Sequence, residues 1–84
     1  MLKAKNRVLS FSVLYEEAPE GGYVVSVPTL PGCHTQGDTI DEAEKNVKEA
    51  IGLYLESLQS RGDEIPQDRR ILQGTIGVQA PFPL

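Results

Sequence analysis

The sequence predicts one α+β domain with the order β-β-β-α-β: a three-stranded antiparallel meander, one long crossover helix and a fourth strand. Two early segments alternate apolar and polar residues, as half-buried strands do, and a later segment repeats apolar residues at helical spacing. Glycine and proline lie between these segments and mark the turns. The 84 residues suit a single domain (residues 1–84), with a core over 8–78 and an extended tail over 79–84.

The first predicted strand covers residues 7–16. Its apolar residues fall on one face at period two and are Leu9, Phe11, Val13 and Tyr15. Residues 16–22 contain a proline and two adjacent glycines, which predict a hairpin turn because glycine accepts positive φ angles. The second strand follows, with Tyr23, Val25 and Val27 on the same face, and we expect it to pair antiparallel with the first.

Two prolines, Pro28 and Pro31, end the second strand, since proline has no N–H to donate to a neighbouring strand. We expect Leu30, between them, to fill the core. Residues 33–36 are predicted to form a short third strand, after which Gly37 turns the chain toward the helix.

The helix is predicted from its caps and from its apolar stripe. Thr39 and Glu42 match a capping box, in which each side chain satisfies a free backbone N–H. The helix therefore begins near Ile40, and with Gly62 as its C-terminal cap it spans about 21 residues, or roughly 30 Å. The stripe should lie on the sheet and consists of Ile40, Ala43, Val47, Ala50, Ile51, Tyr54, Leu55 and Leu58.

A fourth strand is predicted after Pro66, from the residues Ile71, Leu72, Thr75, Ile76 and Val78. A right-handed crossover through the helix would bring it parallel to the first strand. One helix leaves one face of the sheet uncovered, and residues 75–80 carry no charge that would block edge pairing. We therefore expect a homo-oligomer, most simply a homodimer, built on the uncovered face or on the edge of the fourth strand.

Charge is unevenly spread along the chain, whose net charge is −4. Residues 16–56 hold nine carboxylates against two lysines, a net of −7. This argues against DNA or RNA as a direct ligand, because nucleic-acid affinity comes largely from Lys and Arg on phosphates, and it favours a basic protein partner. The sequence has neither a membrane-spanning stretch nor a secretory signal, and its single cysteine suits a reducing compartment, so we expect a cytoplasmic protein.

Residues 23–43 read YVVSVPTLPGCHTQGDTIDEA and resemble the N-terminal domain of HicB-family antitoxins, with similarity over about residues 8–78. The resemblance implies a partial ribonuclease H fold and a role in neutralising a small basic HicA-type toxin that cleaves mRNA. Thr29 stands where the family commonly has Asp. HicB antitoxins usually add a C-terminal DNA-binding module, which we expect this chain to lack.

Two sets of residues follow as candidates. Contact with a basic partner is expected from five carboxylates on the hairpin and the helix, namely Glu16, Glu17, Glu20, Glu44 and Glu56. Residues of the family motif are expected to set the fold by fixing turns, capping the helix or filling the core, and these are Pro28, Leu30, Pro31, Gly32, Cys33, Gly37, Asp38, Thr39 and Glu42.

Catalytic and metal sites are not expected. Cys33 and His34 are neighbours, so in an extended segment their side chains point to opposite faces and cannot form a thiolate–imidazole pair; together they also fall short of a zinc site. The remote alternative, a metal-dependent nuclease, needs a carboxylate on the first strand, where the sequence has Ser10 and Ser12. We expect no enzyme, metal or cofactor. The main alternative to an antitoxin is an oligomeric domain that binds a small molecule or serves as a scaffold without a toxin.

Overall fold

The computed structural model describes residues 8–84, in which three strands are followed by one helix. The strands β1 (Leu14–Glu17), β2 (Tyr23–Ser26) and β3 (His34–Gly37) form an antiparallel meander in the order β1-β2-β3. The helix α1 (Ile40–Arg61) packs across β3 and β2. The predicted α+β class, a meander followed by one long helix, is confirmed.

The first strand is shorter than predicted. β1 pairs with β2 over four residues, and residues 8–13 have no strand partner in the described chain; the predicted start at Arg7 lies outside the described residues. The length of β2 explains the difference, because β2 ends at Ser26 and Pro28 offers no N–H for further pairing. The predicted alternation holds nevertheless, since the core is flanked by Phe11, Val13 and Tyr15.

The core lies between the sheet and α1, and the loop after β2 closes it. Leu30 is fully buried, as predicted, and its backbone is held by a bond from its N–H to the Val27 carbonyl and one from the Cys33 N–H to its own carbonyl. The buried apolar cluster consists of Val25, Val27, Leu30, Cys33, Ala43 and Val47. β3 begins one residue later than predicted, at His34.

The N-cap at Thr39 and the C-cap at Gly62 are confirmed, but among the described residues the Glu42 side chain does not complete the predicted capping box. The Thr39 hydroxyl accepts a hydrogen bond of 3.1 Å from the Glu42 N–H. At the other end Gly62 adopts a left-handed conformation with φ 74°, and the N–H of Asp63 reaches back to the Leu58 carbonyl. The stripe faces the sheet as predicted except at Ile40, which is 43% exposed at the start of the helix, and its most buried members are Ala43, Val47 and Leu58. No helix among residues 8–84 is long and apolar enough to cross a membrane.

Gly37 is fold-setting for a reason that differs from the predicted turn. It is buried where α1 crosses β3, and a Cβ built on it would lie 2.8 Å from the Cα of Ala43. Because glycine has no side chain, the first turn of α1 can approach the sheet this closely.

The predicted fourth strand is not formed: from residue 63 to residue 84 the described chain contains no strand or helix. The segment lies where that strand was expected, because Asp68 contacts Ser12 and residues 71–73 line a cavity with residues 14–16 of β1. It then continues as an exposed C-terminal arm (residues 71–84). Two glycines in the arm disfavour strand structure, and no strand edge among residues 8–84 pairs with it.

Candidate partner-binding site

The hairpin between β1 and β2 lies beside the start of α1. β3 runs toward this hairpin, since Gly37 at its end pairs with Tyr23 at the start of β2, and α1 begins three residues later. Gly22 of the hairpin turn packs against this connection, because a Cβ on it would lie 2.8 Å from the Gly37 carbonyl oxygen. The turn and the first helical turn therefore form one end of the molecule.

A groove of about 550 Å³ opens at this end. Three carboxylates from separate elements line it: Glu20 from the hairpin, Asp38 from the β3–α1 connection and Glu42 from the first turn of α1. Its floor includes Tyr23 and Asn46, and the Asn46 side-chain amide donates a 2.7 Å hydrogen bond to the Gln36 carbonyl. The groove is therefore an acidic concavity with a fixed polar and aromatic floor.

Three further exposed carboxylates belong to the elements that form this end but do not line the groove. We define the acidic end as the exposed residues Glu16, Glu17, Glu20, Asp38, Asp41 and Glu42. Among residues 8–84 the one ion pair joins Arg61 and Asp63, at the opposite end of α1. No described cation therefore pairs with the acidic end, while the helix N-terminus favours the carboxylates of the first turn.

The five carboxylates predicted to contact a partner do not form one surface. Glu16, Glu17 and Glu20 belong to the acidic end. Glu44 lies on the flank of α1 that faces Val13 and Tyr15, whereas Glu56 lies about 18 Å farther along the helix axis and about 120° around it.

Sequence reasoning missed Asp38 and Glu42 as members of an acidic surface because their capping and turn roles already explained them. The Thr39 hydroxyl accepts from the Glu42 N–H, but the Glu42 carboxylate does not return a bond to the Thr39 N–H within the described chain. The Glu42 carboxylate therefore remains available to a partner in the groove. The predicted meander could have revealed these two residues, because it brings the end of β3 back to the hairpin.

Cys33 and His34 lie on opposite sides of the sheet, as predicted, because Cys33 is buried and His34 is exposed. Burial raises the pKa of the Cys33 thiol, which disfavours a thiolate. The described residues contain no group of three or more side chains placed to hold a metal ion.

A second polar cluster joins three segments at the opposite end of β1. The Asp68 carboxylate accepts the Ser12 N–H at 3.0 Å, the Ser12 hydroxyl at 2.9 Å and the hydroxyl of buried Thr29 at 2.8 Å. The sequence offered no signal for this contact, which spans 56 residues. A carboxylate thus lies beside Thr29 although it comes from residue 68.

These hydrogen bonds lower the pKa of the Asp68 carboxyl, the Ser12 N–H contributing most and the Thr29 hydroxyl next. A lowered folded-state pKa means that the stabilisation is present above the unfolded value of about 3.9 and is lost as the pH falls through the folded value. We expect Asp68→Asn to be less stable than the wild type at pH 7, with the difference shrinking toward pH 2. Urea unfolding at both pH values measures this, and a difference that grows on acidification would contradict it.

Sequence comparisons identify the family of this chain. The chain matches the family described as HicB_like antitoxin of bacterial toxin-antitoxin system over residues 11–76. Similar proteins include a UPF0150 protein of Thermoplasma acidophilum, 48% identical over 60 residues that cover 71% of this chain and 87% of the relative. Another UPF0150 protein, from Synechocystis, is 40% identical over 73 residues, covering 87% of this chain and 92% of the relative. With this match and this fold, the chain belongs to the family of HicB-like antitoxins.

Proposed function

We propose that this chain binds and neutralises a small basic toxin of the HicA type in the cytoplasm, and that the acidic end is the surface that binds. Family membership supports a toxin as the partner class. The observation that carries the location is the presence of six exposed carboxylates at one end of the molecule, three of which line one groove, with no described cation paired to them. The chain acts by binding, and no step of catalysis is assigned to it.

Charge complementarity gives the physical reason. A toxin that cleaves mRNA presents positive surface to phosphate groups, and an acidic partner can cover the same surface. Complementary charge also speeds association, because it steers the two proteins together before contact.

The shape of the groove suits a long basic side chain. Glu20, Asp38 and Glu42 offer carboxylate oxygens from three directions, and Tyr23 adds an aromatic surface. A guanidinium group can bond carboxylates in pairs and stack on an aromatic ring, while its aliphatic stem packs on apolar surface. We therefore propose that an arginine or lysine of the toxin enters this groove.

Three double variants test the location, each removing two negative charges. The hairpin pair is Glu16→Gln with Glu20→Gln, the helix pair is Glu44→Gln with Glu56→Gln, and the control pair is Glu49→Gln with Glu64→Gln. We expect the hairpin pair to slow association with a purified HicA-type toxin by about tenfold at low salt. The helix pair should have a smaller effect because its two positions lie on different sides of α1, and the control pair should change the rate less than twofold.

Stopped-flow association at several salt concentrations, with an RNA-cleavage assay of the toxin, provides the readout. The reduction in association rate caused by the hairpin pair should become smaller toward 1 M salt, where the screening length is about 3 Å. Equal reductions in association rate in all three variants would contradict the proposed location, because net charge and not position would then set the rate. Failure of the wild-type chain to bind the toxin or inhibit cleavage would overturn the proposed function itself.

A further inference from the structure

The C-terminal arm is patterned as a strand with one apolar face. No residue from 71 to 84 carries a charge, and the even-numbered positions from 72 onward are Leu72, Gly74, Ile76, Val78, Ala80, Phe82 and Leu84. The odd-numbered positions from 73 to 79 are Gln73, Thr75, Gly77 and Gln79, and the later ones are Pro81 and Pro83. Alternation at period two is typical of a strand that buries one face. In the single chain that face is open, since Ile76 is 87% exposed and Val78 is 86% exposed.

The arm extends away from its own domain. The molecule measures 70 × 26 × 20 Å, and its radius of gyration is 17.1 Å. A compact chain of this length would have a radius of gyration of about 12 Å. The arm therefore leaves its apolar face in solvent, which is unfavourable by the hydrophobic effect.

Residues 8–13 form a strand-like segment that also lacks a strand partner in the described chain. They alternate apolar and polar side chains but have no strand partner among residues 8–84. Leu9 and Phe11 line a groove of about 320 Å³ between this segment and α1, together with Val47 and Ile51. Leu9 is 44% exposed, so the groove is open, and Glu44 and Lys48 of α1 also line it.

The arm cannot pair with residues 8–13 of its own chain. Asp68 is bonded to Ser12, and residues 71–73 lie beside residues 14–16, so the chain passes β1 in the direction that leads away from residue 8. Its continuation runs on past the hairpin end. The open strand segment and the open apolar arm thus lie at opposite ends of one chain.

We propose that the arm of one copy pairs with residues 8–13 of a second copy and covers the groove there, while the second copy does the same in return. The result is a two-fold dimer with exchanged arms. A second copy is the partner because the chain itself carries both complementary surfaces, and neither the arm nor the opposing apolar side chains need a charged partner. The exchange also closes two uncharged strand segments that would otherwise invite uncontrolled pairing.

Charge introduced at the two surfaces tests the exchange. Light scattering should find the wild type at twice the 9.2 kDa chain mass at tens of micromolar protein. Leu9→Glu alone and Ile76→Lys alone should each give a monomer, because every junction in such a dimer would bury a charge opposite an apolar side chain. An equimolar mixture should restore the dimer, since a mixed pair has one native junction and one Glu–Lys junction.

Thr75→Lys is the matched control, because it places the same charge on the polar face of the same arm, and this variant should stay dimeric. Circular dichroism verifies that α1 is intact in each variant; Ile76 is exposed, so its substitution leaves the domain folded. A wild-type species of 9.2 kDa would overturn the proposal. So would a dimer that survives Ile76→Lys, or a mixture that stays monomeric.

Discussion

Leu30→Ala is expected to lower the free energy of unfolding by about 2–5 kcal/mol, the range measured when a buried leucine is truncated and leaves a cavity. Leu30 has 0% of its surface exposed, and its loop is tied by hydrogen bonds on both sides, so the surroundings cannot collapse into the space. In a domain of this size such a loss is a large part of the total stability.

Leu53→Ala is the matched control, since Leu53 is 67% exposed on α1. It should change the free energy of unfolding by no more than about 0.5 kcal/mol. Urea unfolding of both variants measures the contrast. Similar losses for Leu30→Ala and Leu53→Ala would mean that the loop after β2 does not close the core.

Gly37→Ala is expected to destabilise the domain by about 1–3 kcal/mol, the usual cost of overpacking, or more. The added Cβ would lie 2.8 Å from the Cα of Ala43, and backbone cannot turn aside as a flexible side chain can. The first turn of α1 would have to move away from β3. Because Glu42 belongs to that turn, the groove at the acidic end should widen as well.

Gly52→Ala makes the same chemical change where a Cβ meets nothing within 4 Å. In the interior of α1 it should stabilise the domain by about 0.5–1 kcal/mol, because alanine favours the helix over glycine. Thermal or urea unfolding of the two variants should therefore give shifts of opposite sign. A stabilising Gly37→Ala would contradict the close contact between α1 and β3.

The helix was predictable in detail because its signals are local. Thr39, Gly62 and the apolar stripe all act within a few residues along the chain, and the structure places both ends of α1 as expected. The strands were predictable in kind but not in length. The extent of β1 depends on β2, whose pairing ends before Pro28, and that limit lies in a different part of the sequence.

The acidic surface was predictable in part. A net charge of −7 over residues 16–56 already indicated a basic partner, and three of the glutamates were assigned to the hairpin from the sequence. The grouping with Asp38 and Glu42 depends on the return of β3 to the hairpin. The separation of Glu44 from Glu56 follows from the helical repeat alone and could have been predicted.

Residue pattern alone established the class of the fold, the helix with its caps, the burial of Leu30 and the acidic character of the surface, because each rests on short-range periodicity, on turn and cap chemistry or on simple counting. Tertiary structure established the contact at Gly37, the bonds of Asp68 to Ser12 and Thr29, and the arm that passes β1 without joining it. These features join residues far apart in the chain. Alternation shows that a segment can form a strand, but pairing requires an edge within reach, and only the three-dimensional path of the chain supplies or withholds that edge.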